Sequence, residues 1–267
     1  MSISLAGIPE QAQARILTDL DRIEREERVR ILFAVESGSR AWGFPSPDSD
    51  YDARFVYVRE PDWYLSLTPG RDVIELPIEG DFDTNGWDIR KALNLLLKPN
   101  PVLLEWLSSP IRYRWNESAC AQLEAFARRT AFARACLHHY ASVARRLWNE
   151  FVEGREDVNL KKYLYILRPA MCLAWIREQP AAMPPMSLPH LMQGITLEQA
   201  FRDSVSELLA LKARASEVGN GPRVAALDDF IMSELAWASI QDAQVTTDSG
   251  LQAEAEDMFR AFVRQGQ

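Results

Sequence analysis

Two carboxylates one residue apart, Asp50 and Asp52, follow a Gly38-Ser39 pair across a short loop. On a strand, side chains at that spacing leave from one face, so the two charges crowd together. Carboxylates placed so repel each other unless a proton or a divalent cation neutralises them, and oxygen donors of this kind suit Mg²⁺. Gly38 can bring its backbone close to a ligand, and the amides of Gly38, Ser39 and Arg40 can hold phosphate if they open a helix. A phosphate cradle facing a metal site is equipment for metal-assisted phosphoryl or nucleotidyl transfer. The plain alternative is a polar hairpin whose Asp and Ser residues only cap turns; Pro45, Pro47 and Asp48 are expected to be simple turn formers.

The elements that must position these groups are legible around them. Residues 8–27 carry Ile16, Leu17, Leu20 and Ile23 at helical spacing with charges between, which predicts an amphipathic helix. Val29 to Val35 is a compact apolar run suited to a strand, ending at Glu36 and the Gly-Ser turn. Tyr51 to Val58 alternates as a second strand, with the Asp pair at its beginning. Val73 to Ile78 is a third strand, which Pro77 assigns to an edge. The segment Asp81 to Asp88 offers two further carboxylates. Asp83 sits where another short strand would aim it toward Asp50 and Asp52. Asp88 directly precedes the helical run Ile89 to Leu97 and reads as its N-cap, with Lys91 a surface charge on that helix. Pro99-Asn100-Pro101 breaks that helix before an apolar turn at 102–107. Beyond about Pro110 the pattern is helical almost throughout, over 119–132, 136–151, 160–178, 197–218 and 225–241. Trp148, Trp175 and Trp237 fall at core spacing on those helices, and the four prolines of 179–190 mark a connector.

Gly38-Ser39, the loop, and Asp50-Tyr51-Asp52 resemble the signature of the DNA polymerase β nucleotidyltransferase superfamily. The fuller string, Ser37 to Phe44 followed by Ser49 to Asp52, is similar to the stand-alone nucleotidyltransferases associated with RNA repair. The similarity continues through 88–93, 100–106 and 161–168. It implies an α+β fold, with a mixed-sheet nucleotidyltransferase domain over 1–110 and a helical substrate-binding domain over 111–267 covering the cleft. The implied reaction moves a nucleoside monophosphate from a nucleoside triphosphate to a hydroxyl. Asp50, Asp52 and a third carboxylate, Asp83 preferred over Asp88, would hold two Mg²⁺ or Mn²⁺ ions. Gly38, Ser39 and Ser49 would hold the triphosphate and Arg40 would neutralise it, with Lys161, Lys162 and Arg168 as further nucleotide-binding cations. The implied acceptor is an RNA end. Adenylylation of a protein by an antitoxin-like regulator, and a catalytically idle nucleotide-binding scaffold, are the alternatives; the intact carboxylate pair argues against the idle one.

Composition bounds the rest. With 267 residues, 47% hydrophobic and 25% charged, the chain has the material of a soluble enzyme of one large or two ordinary domains. No apolar run approaches a membrane span, and the opening lacks a secretory pattern, so a cytoplasmic protein without a membrane partner is expected. Cys120, Cys136 and Cys172 are too dispersed for a zinc cluster and read as buried thiols. His138 and His139 are neighbours, about 100° apart on a helix, which does not suit one metal. There is no Walker loop and no Gly-x-Ser-x-Gly turn. The net charge of −8 argues against a surface that coats nucleic acid broadly, but from Arg128 to Arg168 nine Lys or Arg stand against four Asp or Glu, a local balance of +5.

Overall fold

A computed structural model describes residues 7–68, 70–130, 132–214, 219–241 and 249–265. In chain order the first elements are α1 (Glu10–Glu27), β1 (Val29–Glu36), α2 (Gly38–Ala41), β2 (Tyr51–Arg59), α3 (Pro61–Tyr64), β3 (Val73–Glu75), β4 (Phe82–Asp88), α4 (Ile89–Leu97), α5 (Pro101–Leu107), β5 (Arg112–Trp115) and α6 (Glu117–Arg129). They are followed by α7 (Phe132–Phe151), β6 (Asp157–Asn159), α8 (Leu160–Glu178), α9 (Leu188–Gly194), α10 (Gln199–Arg214), β7 (Asn220–Pro222), α11 (Ala225–Ser239) and α12 (Ser249–Arg264).

The fold is α+β, with a five-stranded mixed sheet in the order β3-β4-β2-β1-β5. β1 pairs antiparallel with β2 and β5, β3 pairs antiparallel with β4, and β2 runs parallel to β4. α1 lays Ala12, Ile16, Leu20 and Ile23 on one face of the sheet, against Ala34, Phe55 and Tyr57 among others. It ends at Arg28, whose φ of 51° turns the chain into β1. β3 is an edge strand, as expected, but it stops at Glu75 and leaves Pro77 outside the ladder.

The chain divides into two compact units that do not follow the expected boundary near Pro110. One comprises Met1–Ala41, Asp50–Thr130 and Thr246–Gln267; the other comprises Trp42–Ser49 and Ala131–Val245. The difference has a physical cause: β5, beyond Pro110, is a strand that completes the sheet on the far side of β1, and α12 packs on α4. The second unit is helical. Its centre is α8, buried on nearly every side from Tyr163 to Ile176, with α7 and α11 packed on it. Trp148 is a core anchor there, while Trp175 and Trp237 are half-buried. The expected helix over 197–218 runs from Gln199 to Arg214, its last four expected positions lying outside the described residues. All three cysteines are buried, and none of them is in a disulfide.

Candidate active site

β1 ends at Glu36, a fully buried residue that ties three strands together. Its Oε1 accepts the Asp52 N–H at 2.9 Å, and its Oε2 accepts the Tyr113 hydroxyl from β5. The Glu36 carbonyl accepts the Ser109 hydroxyl at 2.7 Å, and the next residue, Ser37, donates its N–H to the Asp52 carbonyl at 2.8 Å. The backbone of Asp52 is therefore fixed through both its amide and its carbonyl. Burial pushes the Glu36 carboxyl up to about 7, against the pull of the two donors.

Gly38 is required here twice. Its φ is +61°, and a Cβ on it would lie 2.0 Å from Oδ2 of Asp52, so only a glycine lets this turn pass beneath the carboxylate. The amides of Gly38, Ser39 and Arg40 do begin a helix, but α2 is one turn of four residues. It has no appreciable macrodipole, and any anion held there would be held by the amides themselves. Arg40 donates through Nε to the Asp50 carbonyl at 3.0 Å, with its guanidinium over the Tyr51 ring at 4.0 Å.

Asp50 is exposed just before β2, and Asp52 is the second residue of the strand. Directly across the parallel pair, Asp52 is in register with Asp83 on β4, so both side chains leave the same face. Between them stands Arg54, whose Nη2 is 2.9 Å from Asp52 Oδ1 and 2.7 Å from Asp83 Oδ2. Its Nη1 donates to the Asp83 carbonyl at 2.8 Å. Burial raises the Asp52 carboxyl above its ordinary range; Arg54 opposes this, while the charges of Asp83 and Asp50 add to it. Arg54 was absent from the sequence reading. The signal was available, because a cation two residues after Asp52 on one strand must share its face.

Asp88 stands apart from this group. In register with Tyr57, it lies five positions along β4 from Asp83, roughly 16 Å at strand spacing. It is fully buried, accepting the Arg90 N–H at 2.8 Å as N-cap of α4 and the Tyr64 hydroxyl at 2.7 Å. The same carboxylate cannot also meet Asp52. Lys91 on that helix pairs with Asp72 at 3.3 Å.

Among the described residues no three His, Cys, Asp or Glu side chains already stand as a metal cage. The donor chemistry nonetheless fits a hard divalent cation: Asp50, Asp52 and Asp83 offer carboxylate oxygens only, and their mutual repulsion is now relieved in part by Arg54.

The remaining candidates belong to the helical unit. Ser49 Oγ accepts the Ser46 N–H at 2.8 Å and shapes the 46–49 turn. Lys162 is half-buried with its ammonium 4.5 Å from the Phe151 ring, and Lys161 beside it is half-buried as well. Arg168 differs from expectation: it is 5% exposed, donates through Nε to the Met186 carbonyl at 2.9 Å and stacks on Trp42. Those contacts clamp Trp42 and the 184–187 segment, a structural task.

A mixed sheet that sets acidic side chains on adjacent strands beside a Gly-Ser turn is the arrangement of a polymerase β-like nucleotidyltransferase. The chain belongs to the RlaP family, described as the RNA repair pathway DNA polymerase beta family, whose model matches residues 12–261. Family membership makes it a nucleotidyltransferase with a nucleotide substrate. It is 43% identical over 221 residues to the protein YcgL of Bacillus subtilis (strain 168), across 83% of this chain and 84% of that one. A structural comparison matches a crystal structure of a nucleotidyltransferase-like protein from Exiguobacterium sibiricum 255-15 at 12% identity and a TM-score of 0.28, covering 96% of this chain and 80% of that one. No helix among the described residues is long and apolar enough to cross a membrane.

Proposed function

We propose that this chain transfers a nucleoside monophosphate from a nucleoside triphosphate to a hydroxyl on an RNA end, releasing pyrophosphate. The observation that carries the reading is the register of Asp52 with Asp83 beside Gly38, which gathers carboxylates and a close backbone approach at one point of the sheet. Asp50, Asp52 and Asp83 would hold two Mg²⁺ or Mn²⁺ ions. Bound there, such ions supply Lewis-acid stabilisation of the charge that develops on the transferred phosphoryl group.

The chain's own residues do the rest. The amides of Gly38 and Ser39 take the triphosphate oxygens, and Arg40 offsets their charge. Asp83, at the edge of the carboxylate group and 34% exposed at its side chain, stands where it can accept the proton of the attacking hydroxyl. Arg54 keeps Asp52 and Asp83 aligned and must release part of its hold when a stronger cation arrives. Glu36 and Tyr113 hold Asp52 from behind. Lys161 and Lys162 are phosphate contacts of the helical unit in this reading, and the family's description supports RNA as acceptor.

The test is to incubate the protein with each labelled nucleoside triphosphate, Mg²⁺ or Mn²⁺, and separate RNA and protein pools. Label on RNA that is lost in Asp52→Asn is the expected result. Label on protein alone would replace RNA with a protein hydroxyl as acceptor, and wild-type turnover in a folded Asp52→Asn variant would sink the carboxylate mechanism.

A further inference from the structure

The end of the sheet away from the carboxylates carries a cavity of about 320 Å³, where the end of α1, the start of β1, the end of β2 and α12 meet. Arg25, Arg28, Arg30 and Arg59 line it, over a floor that includes Val29, Val58 and Val263. Val29 is in register with Arg59, which lies seven positions along β2 from Asp52, roughly 23 Å at strand spacing. A ligand in this cavity is therefore clear of Gly38 and the carboxylate group. Every lining residue belongs to the sheet unit.

The charges around the cavity do not cancel. Glu24, one of the two carboxylates on its wall, is committed elsewhere: its Oε1 accepts the Ile31 N–H at 2.8 Å and its Oε2 accepts from Arg114 at 2.7 Å. Glu60, the other, is exposed. Arg59 meets the Glu27 carboxylate at 3.0 Å, while Arg30 donates to a neutral carbonyl, that of Phe262, at 2.9 Å. Among the described residues neither buried Nε of these two has an acceptor, so donors in the wall are still unused. Arg25 and Arg28 are exposed at the end of α1, and among the described residues neither side chain has an ion pair or hydrogen bond. The carbonyl end of α1 favours cations at Arg25 and Arg28, but Arg30 and Arg59 come from strands and owe nothing to it. Four like charges around one cavity repel one another, and in a chain of net charge −8 their gathering makes this one place suited to an anion.

We propose that this cavity binds a small phosphate monoester, its phosphate among the four arginines and its apolar body on the valine floor. A monoester phosphate near pH 7 carries close to two negative charges and three strong acceptor oxygens. Guanidinium forks match such oxygens in pairs, and the four here offer more donors than a carboxylate can take up. The valines offer no side-chain hydrogen bond and suit carbon, so a bare phosphate ion would leave the floor uncovered. The site takes no residue from the transfer reaction and stands or falls apart from it.

Calorimetric titration with phenyl phosphate in the absence of divalent metal tests the site, for wild type, Arg25→Gln and Arg28→Gly. Both variants should fold, because Arg25 is exposed and Arg28 has a φ of 51°, a conformation that glycine takes freely. Wild type should bind, and each variant should lose about tenfold in affinity, the share of one charge-assisted contact. Inorganic phosphate should bind more weakly than phenyl phosphate; equal binding would remove the valine floor from the site. Unchanged affinity in both variants, or no binding by wild type, overturns the proposal and leaves a solvated basic rim. Benzoate binding as tightly as phenyl phosphate would overturn the phosphate assignment in favour of a carboxylate. Asp52→Asn, at the other end of the sheet, should bind phenyl phosphate as wild type does, and a changed affinity there would put the ligand at the carboxylate group instead.

Discussion

Among the described glycines, Gly38 is the one at which an added Cβ would come nearest another atom, Oδ2 of Asp52 at 2.0 Å. Gly38→Ala places a Cβ where Oδ2 of Asp52 stands and demands a left-handed backbone of alanine, which alone costs about 1–2 kcal/mol. The variant should lose transfer because the carboxylate is displaced, and it should lose at least that much stability in urea denaturation; full activity would show that the Asp52 side chain has no fixed place. Glu36 behind it makes a pH prediction. Its carboxyl titrates at about 7 in the fold against an ordinary 4.5, so the folded chain holds this proton more tightly than the unfolded one. The stability it contributes is full below pH 4.5 and is lost as the pH rises through about 7. Glu36→Gln fixes the neutral form, so its melting temperature should gain on the wild type's between pH 4.5 and 7.5. A difference between the two proteins that stays constant with pH would mean that Glu36 is not buried as a proton-bearing acid.

At the scale of elements, the seven residues of β4 run directly into α4 through Asp88, the last residue of the strand and the cap of the helix, and they separate two carboxylates by role. Asp88→Ala removes the N-cap of α4 and a partner of the Tyr64 hydroxyl, and should cost about 0.5–2 kcal/mol while transfer persists. Asp83→Asn should do the reverse, abolishing transfer with little change in the denaturation midpoint; the opposite pair of results would return the chemistry to Asp88. How far such roles were legible depended on how local their causes are. The N-cap could be read from Asp88 and the apolar run after it, and α1 from the spacing of Ile16, Leu20 and Ile23, because both rest on residues within a turn or two. The pairing of Asp52 with Asp83 could not, since it depends on the register of two parallel strands joined by a long connection. β5 was missed for a related reason. Arg112-Tyr113-Arg114-Trp115 has two charges in four residues, and it becomes a strand through β1, with Arg114 held by Asp21 and Glu24 of α1. α12 carries Leu251, Met258, Phe259, Phe262 and Val263 among its sixteen residues, and its buried side chains Leu251, Ala255 and Phe262 acquire their meaning from the sheet unit it joins.

At the scale of the whole molecule the question is how a chain of net charge −8 would hold an RNA end. The +5 balance between Arg128 and Arg168 overstates the free positive charge, because several of those nine cations have other partners. Arg128 pairs with Glu124, Arg129 pairs with Glu254, and Arg168 is buried on Met186 and Trp42. Lys161 and Lys162 remain half-buried at the start of α8, adjacent and of one sign. If they face phosphates, replacing both with Ala removes two contacts and releases fewer counterions on binding. The slope of log affinity against log salt should then flatten by about 1.4 for a single strand, at about 0.7 per phosphate, with nucleotide binding at Gly38 and Ser39 preserved. An unchanged slope would make the pair a solvated helix face and leave a protein or small-molecule hydroxyl as the better acceptor. A fall in triphosphate affinity with no change in RNA affinity would instead assign both lysines to the nucleotide. The acidic remainder of the surface would then act against any extended nucleic acid, limiting contact to a terminus.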